Sequence, residues 1–168
     1  HNTFDHSFRT LENALDVSKS LGCRFIYFSS SMIYGNFPGE EVTEESPLSP
    51  LGIYGTLKWC GEKLVHAYNK VFGLEYVIVR PSALYGERCI SRRVGQVFIE
   101  SALFGEEITI EGDGSSRLDF TYIDDLVQGL ILCGIEKSAA NNIFNLTYGN
   151  ARPISDLLTI LKEYYPNL

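Results

Sequence analysis

The sequence predicts an α/β fold built around a parallel sheet. Residues 24–29 and 74–79 are interpreted as strands, because their nearly continuous apolar, aromatic and β-branched character is typical of parallel strands covered on both faces. A helical pattern at residues 53–72 separates the two runs. Strand, helix and strand form one βαβ crossover, so we expect the strands to be parallel neighbours with a right-handed connection.

Two long helices are predicted in the first half of the chain. The first covers residues 1–21, with Leu11 and Leu15 on one stripe and Gly22 just beyond its C-terminus, where glycine is favoured. The apolar stripe of the helix at residues 53–72, which Gly73 ends, consists of Ile53, Leu57, Cys60, Leu64, Tyr68 and Val71. Both patterns have the period of an amphipathic helix.

A loop rich in Pro, Gly, Glu and Ser connects the first strand to the second helix, over residues 35–52. Loops of this length without structure of their own are usually functional or disordered. The loop contains the glutamates Glu40, Glu41, Glu44 and Glu45. We interpret them as a solvated face rather than a catalytic carboxylate pair, because nothing in the sequence fixes their separation.

Short strands and helices alternate in the second half of the chain. Helices are predicted at residues 94–104, which Gly105 ends, from a cap at Asp124 to Ile135, and after a cap at Ser155. Short extended segments are predicted at residues 108–110, 119–122 and 143–146. The stretch EGDGSS between the first two is interpreted as a turn.

Composition and charge narrow the functional classes. The 168 residues are 45% hydrophobic and 21% charged, which is ordinary for a globular protein and enough for one core rather than two full domains. A net charge of −7 argues against a nucleic acid as partner. No apolar run approaches the roughly 20 residues of a membrane span. Since there is also no signal-peptide pattern, we expect a cytoplasmic protein without a membrane partner.

Several common motifs are absent. The cysteines are scattered, at Cys23, Cys60, Cys89 and Cys133, so we expect buried thiols rather than a disulfide framework or a zinc site. A dinucleotide site needs a G-x-G-x-x-G turn after the first strand. The nearest match begins at Gly112 and has Arg117 where the third glycine would stand. Walker-A spacing and the hydrolase pattern G-x-S-x-G do not occur.

Residues able to carry chemistry follow the ends of both predicted strands. Ser29, Ser30 and Ser31 end the first strand, and Pro81 and Ser82 follow the second. In open parallel sheets, ligands bind beyond the carboxyl ends of the strands. We therefore expect both groups of residues at one ligand-binding edge.

A tyrosine and a lysine lie at the start of the helix that joins these strands. Tyr54 and Lys58 are four residues apart, which places both side chains on one helix face. A free phenol titrates near about 10, and a neighbouring cation lowers the pKa of an acid by roughly 1 to 3 units. The phenol is therefore a candidate base near neutral pH, and a serine from the strand end could bond the same reacting oxygen.

Four linked motifs give the chain a specific resemblance. SSSMIYG, EESPLSPLGIYGTLK, RPSALYGER and EGDGSSRLDFTYIDDLVQGL occur in this order over nearly the whole chain. With them the chain resembles the extended short-chain dehydrogenase/reductase family, and within it the NAD-dependent nucleotide-sugar epimerases and dehydratases. The resemblance implies a partial Rossmann-like parallel sheet without its first strands. The C-terminal half of an NAD-binding domain would lie at residues 1–86, and part of a smaller, mixed substrate-binding region with returning sheet elements at residues 87–168.

The resemblance also implies that the chain is a fragment. The family's first strands, with their glycine-rich turn, would precede residue 1. We therefore expect this chain alone to bind NAD poorly, and the choice between NAD and NADP is left open.

The resemblance assigns roles to residues of the first region. Tyr54 matches the catalytic base, and Lys58 matches the lysine that holds the nicotinamide ribose and favours the ionised tyrosine. Ser30 matches the residue that bonds the sugar hydroxyl, with Ser29 and Ser31 as adjacent alternatives.

Further matches concern cofactor and substrate contacts. Pro81 and Ser82 match the loop beside the nicotinamide ring. Arg88 resembles a substrate-contacting arginine. Arg117 stands close to the position of the arginine that contacts the diphosphate, but Leu118 follows it where relatives often have aspartate.

The reaction that the resemblance implies is 4-epimerisation of a nucleotide-diphosphate sugar, a UDP-hexose above all. Hydride leaves C4 for NAD, the keto sugar turns over, and hydride returns to its other face. Ser31 and Met32 occupy positions where dehydratases carry an acid pair and decarboxylases a glutamate, which favours epimerisation. A dehydratase, decarboxylase or reductase of the same family, and a non-catalytic binding module, are the alternatives.

Relatives often form homodimers through helices that correspond to residues 5–21 and 53–72.

Overall fold

The computed structural model describes residues 2–36, 41–90, 92–110 and 112–166. The helices are α1 Asn2–Leu21, α2 Ile53–Phe72, α3 Val94–Phe104, α4 Ile123–Ile135 and α5 Ile154–Tyr164. The strands are β1 Phe25–Phe28, β2 Tyr76–Val79, β3 Ala83–Tyr85, β4 Arg117–Leu118, β5 Phe120–Tyr122, β6 Asn142–Phe144 and β7 Arg152–Pro153. Strands and helices alternate along the chain, which confirms the α/β class.

The chain divides into two compact units. The first unit comprises His1–Ser82 and Val127–Leu146, and the second comprises Ala83–Leu126 and Thr147–Leu168. Each unit is thus assembled from two separate segments of the chain. The functional division into residues 1–86 and 87–168 stays a prediction.

The first unit contains a parallel sheet with the strand order β1-β2-β6. β1 and β2 pair in parallel from Phe25 opposite Tyr76 to Phe28 opposite Val79, which confirms that they are neighbours. β2 is the central strand and is buried along its whole length, as expected. β1 lies at the edge of this sheet, but its two faces are covered as expected, because Phe25 and Tyr27 pack on one cluster and Ile26 on the other, and only its last residue, Phe28, is exposed, at 43%.

Successive residues of β2 build two hydrophobic clusters on opposite faces of this sheet. Tyr76 and Ile78 pack with Leu15 of α1 and Val65 of α2. Val77 and Val79 pack with residues that include Cys133 of α4, and Ala139. Because side chains alternate across a strand, one strand of four residues anchors helices on both sides of the sheet.

The buried face of α2 differs from its predicted apolar stripe. Ile53, Cys60 and Val71 are exposed. The buried residues of the helix are Gly55, Gly61, Glu62 and Val65. The two glycines explain the difference, since residues without a side chain let neighbouring groups approach the helix backbone closely. A Cβ at Gly61, for example, would collide with the phenol of Tyr27.

The second unit contains two small sheets and its own core. β3 and β5 pair in parallel, whereas β4 and β7 pair antiparallel. The core joins α3 and α5 through Phe98, Ala102 and Leu161. The strand predicted at residues 108–110 is not formed. Its isoleucines, Ile108 and Ile110, pack against this core instead.

Two predicted helix caps are also wrong, each by two residues. α4 begins at Ile123, so Asp124 lies in its first turn rather than before it. α5 begins at Ile154 after Pro153, so Ser155 likewise lies inside the helix. The acidic side chain in the first turn of α4 still complements the positive end of the helix dipole.

The expectation of buried thiols holds for one cysteine. Cys133 is buried, whereas Cys23 and Cys60 are exposed. In the described part of the chain, no group of three or more His, Cys, Asp or Glu side chains could hold a metal ion. No helix among the described residues is long and apolar enough to cross a bilayer.

Candidate active site

The predicted serine segment lies at the carboxyl end of β1. Ser30 has an extended backbone and caps the 3₁₀ turn Ser31–Tyr34, with its Oγ accepting a hydrogen bond from the amide of Met32 at 3.2 Å. The amide of Ser31 donates to the carbonyl of Pro81 at 3.0 Å. The structure therefore brings together the two strand ends that the sequence predicted to share one edge.

The first turn of α2 packs directly on the 3₁₀ turn. A Cβ on Gly55 would lie 2.6 Å from the carbonyl oxygen of Met32, a distance that only a glycine permits. Gly55 is buried, and Tyr54 precedes it immediately in α2. The glycine thus sets the candidate tyrosine beside the segment that Ser30 caps.

Lys58 connects the tyrosine to the strand end. Its ammonium Nζ lies 5.7 Å from the centroid of the Tyr54 ring, so the two side chains share a helix face, as predicted from their spacing. The same Nζ donates a hydrogen bond of 2.7 Å to the carbonyl of Phe28, the last residue of β1. Burial lowers the pKa of Lys58 from its ordinary value.

A second tyrosine packs against the same lysine. The ring centroid of Tyr27 lies 5.5 Å from Lys58 Nζ, and its hydroxyl donates to the backbone carbonyl of Lys58 at 3.3 Å. Burial in the first place, helped by the charge of Glu62, raises the pKa of Tyr27 to about 12. Tyr27 is therefore held as a neutral donor, whereas Tyr54 is 55% exposed and accessible to a ligand.

The three serines differ in their surroundings. Ser29 and Ser30 are 3% and 8% exposed, and Ser31 is partly exposed. Within the described residues, the Oγ of Ser29 is buried without a hydrogen-bond partner. Because a buried hydroxyl normally finds a partner, Ser29 holds unused hydrogen-bonding capacity at this edge of the sheet.

The second unit contains a cavity of about 830 Å³. Its lining combines the aromatic side chains Tyr85, Phe120 and Tyr148 with the arginines Arg88, Arg93 and Arg152. The carboxylates Glu100 and Asp156 also line the cavity, so the lining carries three positive and two negative side chains. With its rings, this slightly positive lining suits a ligand that carries both a planar ring and an anionic group. Arg88, which the sequence predicted as a substrate contact, lines the cavity with a positive backbone φ of 61°.

Arg117, the other predicted substrate contact, does not line this cavity. It lies on β4, is exposed, and donates through Nη2 to the carbonyl of Ala151 at 2.5 Å. The sequence reading missed Arg93 and Arg152. The one signal available was their position, since each stands within two residues of the start of a helix whose other residues line the cavity.

Comparison with known proteins gives a consistent set of relatives. The family model described as the NAD dependent epimerase/dehydratase family matches residues 1–147. The uncharacterized UDP-glucose epimerase YtcB from Bacillus subtilis is 37% identical over 126 residues, which are 74% of this chain and 40% of that protein. A putative UDP-glucose 4-epimerase from Methanocaldococcus jannaschii is 32% identical over 156 residues, or 90% of this chain and 50% of that protein. The chain spans about half the length of such relatives or less.

Solved structures agree with this result. The UDP-glucuronic acid 4-epimerase from Bacillus cereus, crystallised with UDP-glucuronic acid and NAD, is 31% identical with a TM-score of 0.86. The match covers 94% of this chain and 50% of that one. This likeness confirms the expected class of parallel α/β fold.

Proposed function

The chain belongs to the NAD-dependent epimerase/dehydratase family, and from that premise we propose that the protein is a nucleotide-sugar 4-epimerase. One observation carries the proposal. The ammonium of Lys58 lies beside the Tyr54 ring and is hydrogen-bonded to the strand end that leads into the serines. These contacts support a site at the edge of a parallel sheet, where ligands bind, in which Tyr54 is the base, Lys58 the cation and Ser30 the hydroxyl donor.

The residues present fit the nicotinamide end of NAD. An ammonium group has three N–H donors, and the carbonyl of Phe28 accepts one from Lys58, so further donors can reach the hydroxyls of a ribose. Pro81 and Ser82 extend from the neighbouring strand at the same edge, next to the serine segment. A nicotinamide held by these residues would supply a reversible acceptor for the hydride at C4 of the sugar.

The protein's own contribution is the movement of one proton. In this proposal Tyr54 is the base that accepts the proton of the sugar 4-hydroxyl. The Ser30 hydroxyl bonds the same oxygen from the strand end. The phenol returns the proton when the keto sugar is reduced on its opposite face.

The residues after Ser30 favour epimerisation over elimination or decarboxylation. Ser31 and Met32 occupy the positions where an acid would be needed to expel water or to assist loss of carboxylate. Neither side chain is a carboxylic acid, and Met32 is 57% exposed. The 3₁₀ turn therefore supplies no second acid.

We propose that the cavity of the second unit binds a nucleotide diphosphate. Its arginines can pair with a diphosphate, and its aromatic rings can stack on a base. Within the lining, Arg88 and Arg152 are the residues we propose for the anionic groups. A UDP-hexose is the proposed substrate, and Arg117 is a weaker candidate because it lies outside this lining.

The experiment that tests the proposal compares the full-length protein with its Tyr54→Phe variant, each supplied with NAD and UDP-hexoses. We expect epimerisation by the wild type and a loss of kcat of about 10²- to 10⁴-fold in the variant, because the ring stays and only the proton-accepting group is lost. Tyr68→Phe is the matched control, since that tyrosine lies on the same helix about four turns away. Equal activity of Tyr54→Phe and wild type would overturn the assignment.

A further inference from the structure

A buried ion pair in the first unit joins Glu62 of α2 to Arg80, the residue that follows β2. Arg80 donates through Nε to Glu62 Oε1 at 3.0 Å and through Nη2 to Glu62 Oε2 at 2.8 Å. The two side chains are only 2% and 3% exposed. Two parallel hydrogen bonds fix the relative orientation of a planar guanidinium and a carboxylate far more tightly than a simple charge contact does.

The pair belongs to a larger hydrogen-bonded cluster. Arg80 Nη1 donates to the hydroxyl of Tyr34 at 2.8 Å and to the carbonyl of Glu44 at 3.0 Å. The hydroxyl of Tyr34 donates in turn to Asn145 Oδ1 at 2.7 Å. The backbone amide of Asn145 donates to Glu44 Oε1, also at 2.7 Å. We call Tyr34, Glu44, Glu62, Arg80 and Asn145 the Arg80 cluster. Its members come from five different segments of the first unit.

The members of the Arg80 cluster are neighbours of the candidate site in sequence. Tyr34 ends the 3₁₀ turn that Ser30 caps. Glu62 lies one helical turn after Lys58 in α2. Arg80 follows the last residue of β2 and directly precedes the segment predicted to lie beside the nicotinamide. The cluster therefore ties together the three segments that carry the candidate catalytic and cofactor-binding residues.

We propose that the Arg80 cluster is a positioning device that sets the Ser30 hydroxyl relative to α2. The expected effect on catalysis rests on the proposed function, whereas the hydrogen bonds of the cluster do not. A buried ion pair is weak evidence for stability, because apolar residues of similar volume often serve as well. A fully satisfied polar network instead specifies one arrangement of the segments that it joins. Tyr34 is the member that transmits this order to the turn, because its hydroxyl both accepts from Arg80 and donates to Asn145.

Tyr34→Phe is the most selective test. The substitution removes one hydroxyl, leaves the ring that packs 5.2 Å from the Arg80 guanidinium, and keeps both charges of the ion pair. Tyr68→Phe is the matched control, because its hydroxyl donates to Asp16 at 3.1 Å on α1, away from the cluster. Both variants are made in the full-length protein.

Two readouts separate positioning from stability. Hydrogen exchange reports the turn directly, since the amides of Ser31, Met32 and Ile33 all donate hydrogen bonds around Ser30. We expect faster exchange of these amides in Tyr34→Phe than in Tyr68→Phe. With UDP-hexose we expect kcat to fall by about tenfold or more while KM stays within about twofold, because a displaced catalytic group slows the chemical step more than it weakens binding.

The outcomes distinguish this inference from the proposed function. If the wild type lacks epimerase activity but exchange at residues 31–33 rises selectively, the proposed function fails and the positioning role stands. If exchange at these amides is the same in both variants, the inference is overturned whatever the activity. Selective exchange with an unchanged kcat also overturns it, because the turn would then move without consequence for the reaction.

Discussion

The partial burial of His66 makes the free energy of unfolding depend on pH. Its ring lies edge-on to Tyr76, with a centroid distance of 5.0 Å. Burial lowers the pKa of His66, the negative charge of Glu62 partly opposes this, and the positive charges of Lys63 and Arg80 add to it. In the pH interval between this lowered value and the ordinary value near 6.5, the unfolded chain binds more protons than the folded one. Stability therefore falls as the pH falls through this interval.

We expect His66→Phe to remove this term. The replacement keeps an aromatic ring against Tyr76 and cannot be protonated. Urea unfolding of the wild type at several pH values between 7 and 5 should show a steeper loss of stability than the variant does. His6→Phe, at an exposed position of α1, is the control and should follow the wild type. Identical pH slopes for wild type and His66→Phe would contradict the prediction.

Among single residues, the sequence predicted the contact of one helical pair, but it did not predict which arginines line the cavity. The contact between Tyr54 and Lys58 follows from helix periodicity alone, so their spacing was sufficient. Which arginines line the cavity depends on how distant segments pair, and no local pattern shows that Arg152 faces it while Arg117 does not. The burial of Glu62 was equally invisible, because its partner Arg80 is 18 residues away.

At the level of elements, the contact between α2 and the 3₁₀ turn depends on a missing side chain. Gly55 lies in the first turn of α2, where glycine costs about 1 kcal/mol relative to alanine. A Cβ there would lie 2.6 Å from the backbone oxygen of Met32 and 3.1 Å from Cβ of Pro50. Backbone atoms cannot rotate away as a flexible side chain can, so the steric cost exceeds the gain in helix propensity.

We predict that Gly55→Ala destabilises the protein by about 1 to 3 kcal/mol, the usual cost of overpacking. It should also lower kcat, because Tyr54 is displaced with the first turn of α2. Chemical denaturation of Gly95→Ala gives the matched comparison. That glycine is also in the first turn of a helix, but the nearest atom to an added Cβ is Phe120 Cε1 at 3.7 Å. If both substitutions had the same effect on stability, close packing at Gly55 would not be the reason for its glycine.

Helices α2 and α3 and strands β1, β2 and β5 were predicted with nearly correct bounds, whereas the short strands β3, β4 and β7 were not predicted. α2 and α3 match the sequence expectation at both ends, since glycines in left-handed conformation follow each of them. β4 and β7 contain two residues each and exist only through their mutual pairing. The segment 108–110 has no partner strand among the described residues, so Ile108 and Ile110 are partly buried against the core of the second unit without a strand being formed.

At the scale of the whole molecule, the order of the chain does not follow the order of its compact units. The first unit contains the residues up to Ser82 and again those from Val127 to Leu146. The second unit begins between these two segments, at Ala83. The division predicted from the sequence placed returning sheet elements within one contiguous region, residues 87–168, because local patterns do not show which strand of an earlier sheet a later segment joins. The return is made by α4 and by β6, whose residue Ile143 pairs with Ile78 of the central strand.

Both helices on one face of the first sheet leave apolar side chains exposed. On α1 these are Val17 and Leu21, which are 57% and 73% exposed. On α2 they include Ile53 and Val71, which are 81% and 69% exposed. Apolar surface of this kind is favourable to bury against a partner. We propose a homodimer through α1 and α2, in which a second copy covers these side chains.

A charged residue on this face should therefore dissociate the dimer. We predict that the double variant Val17→Asp/Val71→Asp of the full-length protein sediments as a monomer, whereas the wild type sediments as a dimer over the same concentrations. The reason is that two buried carboxylates would meet apolar surface without partners. Ile131→Asp is the matched control, because Ile131 is an exposed apolar residue of α4, at 55%, and should leave the dimer intact. A monomeric wild type, or a dimer that survives both aspartates, would exclude this interface.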